Sequence, residues 1–143
     1  MRNSIGLTAM ALMFGVLAIS GCGDGRPTRA PVTGRVLIDG QPLTVGTVKF
    51  VSSGVRSSVG QLDGEGRFSL TCYEKNDGVI PGTHRVRIAA KESIDENTVR
   101  WHAPKMYADE STSGIEVVVD EPTQDLVIEL TWDGQEGPYV ERL

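Results

Sequence analysis

The sequence predicts an all-β sandwich, and three observations carry that prediction. Apolar and polar residues alternate with a period of two through most of the chain after Val32. Seventeen glycines and seven prolines in 143 residues imply many tight turns, which favours short strands over long helices. Those turns separate about seven alternating runs, the spacing expected of a two-sheet sandwich.

The first run sets Val32, Gly34, Val36 and Ile38 on one face, with Thr33, Arg35 and Asp39 mostly on the other; Asp39-Gly40 then turns the chain. Alternation recurs at Val48 and Phe50, weakly over Val55 to Leu62, and clearly at Phe68, Leu70 and Cys72. It returns at Val86, Ile88 and Ala90, then at Ile115, Val117 and Val119, and finally at Leu126, Ile128, Leu130 and Trp132. A sandwich buries such positions and leaves Lys49, Arg67, Arg85, Arg87, Glu116 and Glu129 to water. Asp63-Gly64-Glu65-Gly66, Asn76-Asp77-Gly78 and Pro81-Gly82 mark the hairpin turns. The connection from Lys91 to Gly114 is too long to be structureless in a compact domain. Ser93-Ile94-Asp95-Glu96 has capping-box spacing and predicts a short helix that ends before Pro104, although Asn97, Thr98 and Val99 form helices poorly.

A length of 143 residues bounds the chain to one compact domain and argues against a multidomain enzyme. The formal charge of -5 and the absence of a basic segment argue against nucleic acid as a partner. The N-terminus reads as an address: Arg2, then an apolar stretch from Ile5 to Ile19 of about 15 residues, suited to a signal-peptide core and short for a membrane span. It ends in Leu17-Ala18-Ile19-Ser20-Gly21-Cys22, which resembles the bacterial lipobox. That resemblance implies diacylglycerol on the Cys22 thiol, cleavage before Cys22, and membrane attachment through N-terminal acyl chains such as palmitate, two or three of which anchor stably. Cleavage would remove Arg2 and leave the mature chain one unit more acidic. The expected organisation is a signal peptide over 1–21, a lipidated cysteine and flexible Gly/Pro-rich tether over 22–31, a sandwich over 32–132 and a tail over 133–143. In similar Gram-negative lipoproteins an aspartate after the cysteine favours inner-membrane retention; Gly23 stands there, which favours the outer membrane.

Val32-Thr33-Gly34-Arg35-Val36, Asp39-Gly40-Gln41-Pro42-Leu43, Gly46-Thr47-Val48-Lys49-Phe50, Leu62-Asp63-Gly64-Glu65-Gly66-Arg67-Phe68 and Pro81-Gly82-Thr83-His84-Arg85-Val86, in that order, carry a family resemblance. They resemble the carboxypeptidase regulatory-like, transthyretin-like domains of small bacterial lipoproteins. Ala103-Pro104-Lys105-Met106-Tyr107-Ala108-Asp109, followed by Thr112-Ser113-Gly114, looks like the loop those proteins place before their last two strands. The resemblance implies an Ig-like or prealbumin-like sandwich of about seven strands and, because its motifs are turn chemistry, says little about function. One departure is His84, where the pattern usually carries tyrosine.

Catalysis finds few residues to work with. Cys72 shares the inward parity of Phe68 and Leu70, so burial as a small apolar side chain is its expected role. His84 and His102 lie in different segments without ligand-spaced neighbours, and Asp63-Gly64-Glu65 lacks the oxygen pattern of a calcium loop, so neither a metal nor another cofactor is expected. The histidine-rich site and C-terminal signature of the transthyretin-like purine-pathway hydrolase are missing as well. Trp101, His102, Met106 and Tyr107 form the candidate binding loop, since loop aromatics stack on sugars or anchor proteins. Alternatively they cover an end of the sandwich as satellite core. Tyr107 is expected to pack, with Trp101 the nearer of the two rings to solvent. The expectation is thus a non-enzymatic, lipid-anchored envelope sandwich that binds or spaces an envelope protein or a glycan; the alternative is a carbohydrate-binding module that uses the 101–107 loop.

Overall fold

The computed structural model describes Gly21 and residues 23–143. The signal-peptide reading and the lipidation site Cys22 lie outside the described residues. The protein folds as an all-β sandwich, and each of the seven alternating runs carries a strand. In chain order the described strands are β1 (Val32–Ile38), β2 (Gln41–Pro42), β3 (Thr47–Val51), β4 (Ser58–Gln61), β5 (Arg67–Ser69), β6 (Gly82–Ala89), β7 (Lys91–Asp95), β8 (Thr98–Trp101), β9 (Ile115–Val119), β10 (Thr123–Leu130) and β11 (Tyr139–Arg142). A single 3-10 turn, Lys105–Ala108, interrupts them.

The first sheet is organised around β1. One edge of this strand pairs in parallel with β10; the other is shared by β5, opposite Thr33 to Arg35, and by β2, opposite Leu37 and Ile38. Ile38 and Gln41 face each other across the two-residue turn Asp39-Gly40, both at positive φ (47° and 81°), the mirror-image turn that matches strand twist. The second sheet, β4-β3-β6-β9, is antiparallel throughout. The inward alternation of both sheets makes the core, where Val32, Val36, Val48, Phe50, Leu70, Val86 and Ile88 are buried. At one corner the sheets join, because Val59 and Thr71 exchange two backbone hydrogen bonds of 2.9 Å.

The segment after Ala90 differs from the expected helix. Residues 91–101 form the hairpin β7–β8, to which β11 adds a third strand, so the residues read as a tail close a small sheet in the order β11-β8-β7. Capping-box spacing is overridden here because Val99 and Trp101 alternate inward and Thr98 and Val99 are β-branched. Asp95 caps the turn instead, its Oδ1 accepting the Asn97 N–H at 2.8 Å. The tether expectation also narrows. Ala30 is buried and bridges Val79, with backbone hydrogen bonds of 2.7 and 2.9 Å, so the chain is fastened to the sandwich before β1 begins.

Between Val32 and Gly34 the parallel ladder slips: β1 advances two residues while β10 advances three, and Asp125 sits at φ 56° in the resulting bulge. Gly34 lies where three strands converge, and a Cβ there would meet the Leu126 carbonyl oxygen and come within 2.7 Å of Phe68 Cζ. Gly34→Ala is expected to destabilise the domain by about 2–3 kcal/mol through overpacking, read as a lower midpoint in urea unfolding.

Candidate functional site

The four loop residues do not assemble into one surface. Tyr107, 8% exposed, belongs to the main core; its hydroxyl donates to Thr131 O at 3.4 Å and accepts the Thr131 N–H at 3.3 Å. Trp101 is equally buried, so it is not the nearer of the two rings to solvent. The pairing of β8 with β11 explains it: Trp101 Nε1–H donates to Glu141 Oε2 at 2.8 Å, and Lys105 Nζ, 5.5 Å from the ring centroid, reaches Glu141 Oε1. Lys105 and Trp101, as donors, hold the Glu141 carboxyl below its ordinary range. His102 turns to Glu92, with Nε2 to Oε2 at 2.8 Å, and that bond, with the charges of His102 and then Arg100, lowers Glu92. Met106, about half exposed, stands apart from all three.

A larger feature lies on the outward parity of the strands. The outer face of β10, β1 and β5, bounded by β4 and the Thr71–Asn76 segment, forms a groove of about 880 Å³. Ladder register gives it rows. Val127, Arg35 and Arg67 lie side by side across β10, β1 and β5, and Thr33 and Ser69 form the next pair, with the bulged Asp125 beside them. Val59 and Thr71 close the corner, and the backbone of Gly34 and Gly60 forms part of the lining. Asp63 is committed to its turn: Oδ1 accepts the N–H groups of Arg67 and Glu65, and these bonds, with the charges of Arg67 and Arg35, hold its carboxyl low. Arg67 pairs with Glu65 at 3.0 Å, whereas Arg35 and Lys75 have no ion-pair partner among the described residues. Hydroxyl, amide and cationic side chains line the walls together with a larger apolar surface, to which Val59 and Val127 contribute as exposed contacts. Such a lining can recognise a polar ligand by hydrogen bonds and charge. Sequence reasoning assigned these outward positions to solvent, because alternation shows which face a residue takes but not which strands become neighbours.

Cys72 is buried, with Sγ 3.7 Å from Arg56 O, as its inward parity predicts. His84 is 1% exposed and packs on Phe50, with ring centroids 5.8 Å apart; Nε2–H donates to Ile80 O at 2.8 Å, while Nδ1 has no partner among the described residues. These two are separate core residues. Among the described residues no three His, Cys, Asp or Glu side chains gather as a metal site.

Where the chain enters the sandwich, Arg26, Arg29 and Arg56 surround the Tyr73 ring at 5.1–5.4 Å. Arg29 Nε donates to Asp77 Oδ2 at 3.1 Å, and Asp77 also accepts the N–H groups of Cys72, Tyr73 and Glu74. Burial works to raise the Asp77 carboxyl, but the three N–H groups and the Arg29 charge outweigh it and hold it below its ordinary value. The chain matches no family model, no curated protein and no solved structure.

Tyr107→Ala and Trp101→Ala are each expected to destabilise the domain by about 3–5 kcal/mol, measured by thermal melting, since each removes a packed ring and leaves a cavity. For Asp77 the folded value lies below the unfolded one. Its stabilisation is therefore complete above the ordinary value near 3.8 and is lost as pH falls through the depressed folded value. Asp77→Asn should flatten the stability–pH profile in that acid window, measured by urea unfolding across a pH series.

Proposed function

We propose that this chain is a non-enzymatic lipoprotein of the cell envelope, attached by acyl chains on Cys22, whose sandwich holds a ligand in the groove over β10, β1, β5 and β4. The anchoring half rests on Leu17-Ala18-Ile19-Ser20-Gly21-Cys22 and the apolar stretch before it. Gly23 after the cysteine favours the outer membrane in an envelope that has one. An all-β sandwich is also the fold class implied by the resemblance to carboxypeptidase regulatory-like lipoprotein domains.

The binding half is carried by the groove itself. Its volume lies in the range of ligand sites, and its hydroxyl, amide and guanidinium groups suit recognition. Carbohydrate binding through the 101–107 loop has less support, because Trp101 and Tyr107 are buried and leave no free ring face for stacking. The strap at Ala30 fits the same reading, since it gives the tethered chain a fixed point of entry into the domain. Cys22→Ser is expected to abolish incorporation of labelled fatty acid and to release the protein from membranes on fractionation. Acylation that persists in that variant would overturn the anchoring.

A further inference from the structure

We infer that β9 is an interaction edge and that it pairs with the β9 of a second copy of this chain, antiparallel about a two-fold axis at Val117. β9 ends the sheet β4-β3-β6-β9, and among the described residues no strand pairs with its outer edge. Hydrogen-bond phase across the sheet shows which groups that edge presents. Gly46 O accepts the Leu62 N–H, so Val48 and Phe50, the even residues of β3, bond to β4, and its odd residues bond to β6. β6 therefore turns the backbones of His84 and Val86 to β9, where Val117 and Ile115 take the bonds. Glu116 and Val118 are left with their N–H and C=O groups directed off the open edge.

Open edges of comparable or greater length are blunted, and this one is not. β10 carries the Asp125 bulge, and the Tyr107 hydroxyl occupies the Thr131 backbone at its end. β7 sets Lys91, Glu92 and Asp95 along an exposed strand. β9 reads Ile115-Glu116-Val117-Val118-Val119, with no bulge, proline or lysine, and Val118 is 60% exposed. On the inner face Ile115 and Val117 are only partly buried against the core, so a further strand on this side would cover apolar surface that the single chain leaves wet.

A second copy fits because the edge is complementary to itself. A two-fold partner that bonds to Glu116 and Val118 has three registers. Glu116 set on its own counterpart brings two carboxylates face to face, and Val118 set on its own counterpart puts Glu116 opposite Asp120 of the partner subunit. The third register places Glu116 opposite Val118 of the partner subunit and avoids both repulsions. It forms two hydrogen-bonded pairs by symmetry and brings the two Val117 side chains together at the axis. Each Glu116 then lies between its own Arg85 and an uncharged side chain. The product is one continuous eight-stranded sheet.

The test oxidises the full-length chain in intact cells with copper phenanthroline and reads disulfide-linked dimer on non-reducing gels. Glu116→Cys and Val118→Cys, both at exposed positions, should cross-link when co-expressed and far less when either is present alone, because only directly opposite residues come within disulfide reach. Val117→Cys should cross-link to its own copy at the axis, whereas Val140→Cys, exposed on β11, should not. Within the Val117→Cys chain, Val118→Glu sets glutamate against glutamate and should cut the cross-linked fraction by roughly fivefold; adding Glu116→Lys turns that repulsion into attraction and should restore it. A dimer from either exposed variant alone that equals the mixture, equal cross-linking through Val140→Cys, or no dimer from any β9 position overturns the pairing. A cross-linked fraction that ignores Val118→Glu, or that stays lost when Glu116→Lys is added, overturns it as well. Disulfides from β9 to a different protein overturn the second copy as the occupant of this edge.

Discussion

The domain depends on a close approach of three backbones at Gly34. β1 is flanked along the same residues by β10 on one edge and β5 on the other, and its inward side chains Val32 and Val36 are fully buried. A side chain at the crossing would press on the Leu126 carbonyl and the Phe68 ring together. Because the site has no Cβ, the Leu126 carbonyl can close on β1 and the Phe68 ring can reach the core. The bulge at Asp125 belongs to this crossing too, since the slip occurs beside Gly34.

Burial is arranged unequally around that crossing. The four-stranded sheet β4-β3-β6-β9 supplies continuous inward alternation, and Phe50 links it to β5 through Phe68, with ring centroids 6.5 Å apart. The small sheet β11-β8-β7 is held differently: β7 is exposed along its whole length, and the sheet is secured by Val99, Trp101 and the clasp of Glu141 between Trp101 and Lys105. Trp132 and Tyr139, in edge contact at 6.0 Å, fasten β11 back onto the end of β10. The main sandwich is a packed core, whereas the small sheet is a two-sided ribbon with one anchored face. Local opening is expected to begin in the ribbon, where apolar contacts are fewest.

What could be read from the residues alone follows from this division. Strands that bury one face reveal themselves by period two, so Val32 to Ile38, Val48 and Phe50, Val86 to Ala90 and Leu126 to Leu130 were visible without coordinates. Asp39-Gly40 and Asp63-Gly64-Glu65-Gly66 were equally visible, because their geometry is written in local turn chemistry. β7 carries no apolar alternation, and β11 is four residues after a turn-rich stretch, so neither has a local signature. Ser93 to Glu96 shows a local signal losing to a tertiary one: the capping-box spacing is present, but inward Val99 and Trp101 decide the outcome. The groove was hidden for a topological reason. Arg35 and Arg67 are 32 positions apart in sequence, and only the pairing of β1 with β5 makes them neighbours.

The strap before β1 sets how the domain bears load. Arg29 on Asp77 and Ala30 on Val79 hold the incoming chain to the body of the sandwich, and the chain then runs directly into β1. A pull along this axis from residues before Asp24 first meets the strap and then β1, whose ladders lie alongside both neighbours. Those hydrogen bonds are strained in shear, many at once, and do not open one after another like a zip. The sandwich is therefore mechanically stiff in the direction from which its N-terminus arrives and soft at the β11-β8-β7 ribbon, so tension and thermal opening would act on different parts of the molecule.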